Sequence, residues 1–105
     1  MKRTLTLLLL MTAAAAAGFA ADAAAGKAAY DKSCKTCHGA DGTPNANIAK
    51  MMKVDMKALG SAEVQAQSDA DLKAIIVNGK GKMPKQAASA PSADDIVAYM
   101  RTLKK

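Results

Sequence analysis

Two cysteines three positions apart, with a histidine directly after the second, constrain this chain more than any other feature: Cys34-Lys35-Thr36-Cys37-His38. Cys-x-x-Cys-His is the attachment pattern of a c-type haem. The spacing follows from the chemistry. Each thiol adds across one vinyl group of a porphyrin to form a thioether, and two intervening residues let the backbone curl until both sulfurs reach the same edge. His38 then lies under the iron, where a neutral imidazole nitrogen serves as the proximal ligand. Five residues thus set the cofactor, its orientation and one axial bond.

Other uses of such a pair fit less well. A thioredoxin-like redox pair wants a strand leading into a helix and a low-pKa thiol at the helix start, whereas the residues before Cys34 read as helix. A structural zinc site needs four ligands, and the chain has two cysteines and one histidine in all. A disulfide between positions three apart is geometrically poor and would staple almost nothing.

The N-terminus reads as an export signal. Lys2 and Arg3 form a short positive region, Thr4–Ala17 is apolar with the Leu7–Leu10 run inside it, and Gly18-Phe19-Ala20 offers small residues at a cleavage site. Residues 1–20 are expected to be removed, with the boundary uncertain by about three residues, and 21–105 to form one domain. The alternative is an uncleaved anchor, since the 18 residues Thr4–Ala21 sit at the lower limit for spanning a bilayer. Export agrees with the chemistry, because covalent haem attachment takes place outside the bacterial cytoplasm; a periplasmic location is expected.

Composition then becomes informative. The 85 residues from Ala21 to Lys105 contain no Trp, no Phe and only Tyr30 and Tyr99. So small a chain buries little surface and usually needs a staple; a haem supplies apolar filler and two covalent links. Without Lys2 and Arg3 the count is 13 basic against 9 acidic residues, a net charge of +4 before haem. No nucleic-acid role is indicated.

The pattern is helical throughout, with no convincing strand. Ala23 to about Ser33 reads as a helix that delivers the chain to Cys34, with Gly26 and Tyr30 on one face. Gly39–Asn47 is loop. Ile48–Leu59 has apolar residues at 48, 51, 52, 56 and 59, a helical period over at least part of the run. Ser68 opens a helix with Asp71 three residues on; Leu72, Ile75 and Ile76 form its inner face and Asn78-Gly79 ends it. Gly79–Pro91 is a long loop. Ser92 opens the last helix, whose inner stripe is Ile96, Tyr99, Met100 and Leu103, with Lys104-Lys105 at its end.

A six-coordinate haem needs a ligand opposite His38. With no second histidine the choice falls on methionine, and Met51, Met52, Met56, Met83 and Met100 remain after signal removal. Methionines at helical spacing usually fill core. Met83 instead sits in the loop Gly79-Lys80-Gly81-Lys82-Met83-Pro84, where glycines allow close backbone approach and proline stiffens the chain. Met83 is therefore favoured, with Met56 as the alternative.

These features together resemble a class I c-type cytochrome of the small bacterial monohaem type: Gly26 and Tyr30, then Cys34-x-x-Cys37-His38-Gly39, then Asn78-Gly79-Lys80-Gly81-x-Met83-Pro84, then the Tyr99 helix. The match in order and spacing covers nearly all of 21–105. The resemblance implies an all-α, small cytochrome c fold of three to five helices around one covalent haem c, the first and last crossing near Gly26 and Tyr99. It implies that His38 and Met83 ligate the iron and that a proline carbonyl, here Pro44, accepts a hydrogen bond from the His38 imidazole. No Trp is available beside the haem; Ile48, Met52, Met56 and Leu72 are the expected ring-lining replacements. With both axial positions filled the protein would be a one-electron carrier and not an enzyme. It would be a monomer serving redox proteins of a respiratory chain, meeting a membrane only transiently or through an uncleaved signal. Lys35, Lys80, Lys82 and Lys85 would form a basic rim for acidic docking surfaces. The alternatives are a haem subunit or domain of a larger oxidoreductase, or a ligand-binding haem protein with a labile Met83.

Overall fold

The computed structural model describes residues 21–105; the expected export signal and its cleavage site lie outside the described residues. In chain order the elements are α1 (Ala23–Ser33), α2 (Lys35–His38), α3 (Ala46–Met52), α4 (Ala62–Gln65), α5 (Asp69–Asn78), a 3-10 helix (Ala87–Ser92) and α6 (Ala93–Thr102). The described residues contain no strand, only an isolated bridge between Lys80 and Met83. The small all-α fold is as expected; α2 and α4, single turns of four residues each, account for the extra helices.

The first and last helices make the most extensive contact in the molecule. Asp22 starts α1, its carboxylate accepting from the Ala24 and Ala25 N–H groups, and its own N–H donates to Asp95 Oδ1 at 2.8 Å. At the crossing Gly26 lies against the α6 backbone. A Cβ there would overlap the Asp95 carbonyl oxygen and stand 2.9 Å from Ile96 N, so only glycine allows the two helices this close. Tyr30 and Tyr99 meet edge-on one turn further along, ring centroids 5.0 Å apart at 61°. The expected crossing is thus present, with its closest approach at Asp95–Ile96 rather than at Tyr99.

The core extends from this crossing. Tyr30, Ala93, Ile96, Val97, Tyr99 and Met100 are buried, with Leu72 and Ile76 of α5 and Leu59 and Val64 before it. Enclosing one such side chain is worth about 1.5–3 kcal/mol. Ser68 caps α5, its hydroxyl accepting from the Asp71 N–H at 3.1 Å, and Gly79 ends it. Arg101 in the last turn of α6 ties down the preceding segment. Its Nη1 donates to the Gln65 carbonyl (2.8 Å), and its Nη2 to the Gln67 carbonyl and to Asp69 Oδ1 (both 2.7 Å). Gln65 Nε2 in turn donates to the carbonyls of Leu59 and Met100.

Three local expectations are corrected. α3 begins earlier than Ile48, because the Asn45 side chain caps it by accepting from the Asn47 and Ile48 N–H groups. It ends at Met52, because Lys53 turns left-handed (φ 53°, ψ 48°). The Lys53 N–H bonds the Lys50 carbonyl and the Val54 N–H bonds the Ala49 carbonyl, the paired closure usually built on glycine. Met56 therefore lies beyond the helix, in an irregular segment over 54–58, and not on a helical stripe. The loop after Gly79 contains the 3-10 helix, which runs directly into α6, so Ser92 makes no side-chain cap.

Candidate functional site

α1 ends where the Cys-x-x-Cys-His motif begins, with Cys34 N–H bonded to the Tyr30 carbonyl at 2.8 Å. The Cys34 carbonyl then accepts from Cys37 N–H (3.3 Å) and His38 N–H (3.0 Å), closing one helical turn. That turn brings Cys34, Cys37 and His38 to the wall of a single cavity of about 390 Å³. The opposite walls come from Met52, Val54 and Met56 on one side and from Gly81, Met83 and Pro84 on the other. A second cavity, about 200 Å³, reaches back to Leu59, Val64, Leu72, Ile76, Ile96 and Met100. The two share Cys34, His38, Lys57, Lys80 and Met83. Met83 is the methionine that lines both; Met52 and Met56 line only the first and Met100 only the second.

Each wall is held by identifiable contacts. The Tyr30 hydroxyl donates to the Gly39 carbonyl at 2.5 Å and the Tyr99 hydroxyl to the Ala40 carbonyl at 3.1 Å, so the crossing tyrosines hold the loop after the motif. Burial, with the neighbouring Cys34 adding to it, pushes the Tyr30 phenol well above its ordinary value, which keeps its hydroxyl a donor. Asn45 folds the loop back, its N–H donating to the Cys37 carbonyl at 2.9 Å and its side-chain amide to the Thr36 carbonyl at 3.3 Å. On the far wall, Lys80 and Met83 exchange backbone hydrogen bonds at 3.1 and 3.0 Å. Gly79 enters this turn at φ 77°, where an added Cβ would press on the Met83 carbonyl oxygen at 2.7 Å. The Gln86 N–H donates to the Ile76 carbonyl at 2.9 Å, returning the loop to α5.

The donor set suits a haem. Burial lowers the His38 imidazole below its ordinary pKa, leaving it neutral as metal binding requires. Its Nδ1 is buried without a hydrogen-bond partner, an arrangement that calls for one. Burial, followed by the neighbouring Cys37, raises the Cys34 thiol. Two thiols, a neutral imidazole and a thioether thus border one crevice with apolar walls.

A family model described as "Cytochrome C oxidase, cbb3-type, subunit III" matches residues 21–100. Cytochrome c-554(547) of Halothiobacillus neapolitanus is 33% identical over 93 residues, covering 81% of this chain and all of that protein. Cytochrome c-555 of Chlorobaculum tepidum is 40% identical over 92 residues, covering 78% and 77%. This chain is a class I c-type cytochrome. The family carries haem c covalently, and Cys34 and Cys37 are the only cysteines this cytochrome has.

The remaining expected residues divide. Met52, Met56 and Leu72 line the crevice of the cytochrome, while Ile48, on α3, lines neither cavity. Pro44 also lines neither; it is half-buried and directly precedes the tethered Asn45. Since Nδ1 has no partner, the expected bond from His38 to the Pro44 carbonyl is not made here. Of the basic rim, Lys80 and Lys82 border the first cavity, and Lys35 and Lys85 are exposed outside it. Sequence reasoning missed Val54, Lys57 and Gln86. Val54 interrupts the helical period that was followed through this run, and a lysine or glutamine at a cavity wall carries no sequence signal of its own.

Proposed function

We propose that this cytochrome is a periplasmic one-electron carrier whose iron is held between His38 and Met83. Bound haem supplies the Fe(III)/Fe(II) couple. Cys34 and Cys37 would hold it covalently, and His38 would offer a neutral nitrogen to its iron. The buried Nδ1 of His38 is left free of any protein partner, and a carbonyl or water accepting from it in the loaded protein would raise the basicity of the ligand. Met83 would offer a thioether sulfur, a soft donor that favours the ferrous state and so raises the potential. Ligation by both His38 and Met83 would leave no position on the iron for a substrate, which supports a carrier over an enzyme. Lys35, Lys80, Lys82 and Lys85 steer acidic redox partners of a respiratory chain at a salt-dependent rate. The basic, apolar, small-residue N-terminus supports export, and among the described residues no helix is long and apolar enough to cross a membrane.

The observation that carries the reading is that Met83, unlike Met56, borders both cavities together with His38. Met83→Ala is expected to keep haem attached, abolish the weak sulfur-to-iron band of the ferric spectrum, lower the potential and let the ferrous protein bind carbon monoxide. An unchanged spectrum would reject Met83, and the same losses in Met56→Ala would transfer the role. The family description, which names an oxidase subunit, favours a second reading, a haem subunit of a larger complex. Gel filtration of the native periplasm separates the two: co-migration with a high-mass oxidoreductase supports the subunit, elution at the size of a single chain the free carrier.

A further inference from the structure

Between the two cavity walls, 46–58 and 79–86, the described residues make one hydrogen bond. Lys82 Nζ donates to the Met52 carbonyl across 30 positions of sequence, at 2.5 Å. Both ends are well placed. Met52 is the last residue of α3, and the carbonyls of Ala49 and Lys50 are already used by the Lys53 and Val54 N–H groups. The Met52 carbonyl is thus a terminal acceptor without an intrahelical donor, at the negative end of the helix, where an ammonium is favoured. Lys82 directly precedes Met83, and Met52, Lys82 and Met83 all border the same cavity.

From this we infer that Lys82 is a positioning residue for the Met83 thioether: its tie to α3 latches the two walls together and slows the departure of the sulfur from the iron. The inference rests on Met83 being the ligand. For Met83 to leave, its loop has to swing away from the opposite wall, and the turn Lys80–Met83 is stiff enough to move as a unit because its ends exchange two backbone hydrogen bonds. The Lys82 bond then breaks with it. Lys82 neither touches the iron nor needs to; it acts through the residue beside it.

Exchange of Met83 for imidazole in the ferric holoprotein tests this. The iron stays ferric, the sulfur leaves and an imidazole nitrogen takes its place. At saturating imidazole the observed rate reaches the rate at which Met83 departs. Lys82→Ala is expected to raise that limiting rate about threefold to tenfold, the net worth of one ordinary hydrogen bond, while the sulfur-to-iron band of the resting protein persists. Lys82→Arg, which keeps a donor of similar reach, should return the rate to within about twofold of the parent. Lys50→Ala removes a neighbouring α3 charge that makes no such bond and should leave it unchanged. An unchanged rate in Lys82→Ala, or an equal rise in Lys50→Ala, overturns the latch while leaving Met83 as ligand. Survival of the band in Met83→Ala overturns the ligand assignment, and the latch with it.

Discussion

At the crossing of α1 and α6, Tyr30 and Ala93 are fully enclosed and Ile96 nearly so; from Ala46 to Ala58 not one residue is buried by the rest of the chain. Both regions border the same crevice, and both are needed to form it. The crossing is held by protein alone, through a glycine, two tyrosines and an apolar stripe. The walls over 46–58 and 79–86, the short helix α3 with the irregular segment after it and the turn around Met83, are joined by one hydrogen bond, and Met52, Val54, Met56 and Met83 line the cavity. A haem held by Cys34 and Cys37 in that cavity would bury those side chains. In so small a domain the polypeptide builds one half of a core, and the cofactor would complete the other.

The strongest challenge to this contrast is to prevent attachment. The double variant Cys34→Ala/Cys37→Ala is expected to lose most of its helical circular dichroism, with residual amide protection confined to α1 and α6. Retention of full helicity, or equal protection of 46–58, would show that the walls stand without haem. Next in size is Gly26→Ala, which forces a methyl group into the Asp95 carbonyl. It should destabilise the holoprotein by about 3 kcal/mol in guanidinium unfolding, the upper range for overpacking; a loss below about 1 kcal/mol would show that the crossing can widen freely. Tyr30→Phe cuts the hydroxyl bond that ties the crossing to Gly39, in the loop leading from the motif to the first wall. A loss of about 1–2 kcal/mol is expected, with faster amide exchange over 39–45 and little change in α6. The smallest effect is a gain. Lys53→Gly relieves a side chain held at positive φ and should stabilise by about 0.5–1 kcal/mol, after allowing for the greater freedom of glycine in the unfolded chain.

What was legible in the sequence follows the same division. From the residues alone Gly26 and Tyr30 share one helix face; that the first and last helices cross near Gly26 and Tyr99 was legible only through the family resemblance. Ser68 and Gly79 marked the ends of α5 by their chemistry. Over 46–58 the signals misled. Asn45 lies inside the run Gly39–Asn47 that the sequence marks as loop, yet it caps α3, and Lys53 ends that helix in a conformation favoured by glycine. The apolar period was therefore followed through to Leu59, which put Met56 on a stripe that does not exist. The 3-10 helix over Ala87–Ser92 was hidden by Pro91 and small residues with no period. Cys34, Cys37 and His38 were plain from their spacing. What spacing could not supply was that Met83 alone among the methionines would border both cavities, since that depends on how a turn 45 residues further along the chain is hung from α5.

The Arg101 fork carries a consequence of its own. One guanidinium reaches the carbonyls of Gln65 and Gln67 and the carboxylate of Asp69, so the entry to α5 is indexed to the final turn of α6. The rear wall of the crevice, Leu72 and Ile76, takes its depth from that clasp. Lengthening the chain between 53 and 58 leaves the clasp intact, whereas one extra residue between 65 and 69 puts the acceptors out of step with a rigid planar donor. Length variation in proteins built this way should therefore collect in the front wall and avoid the back.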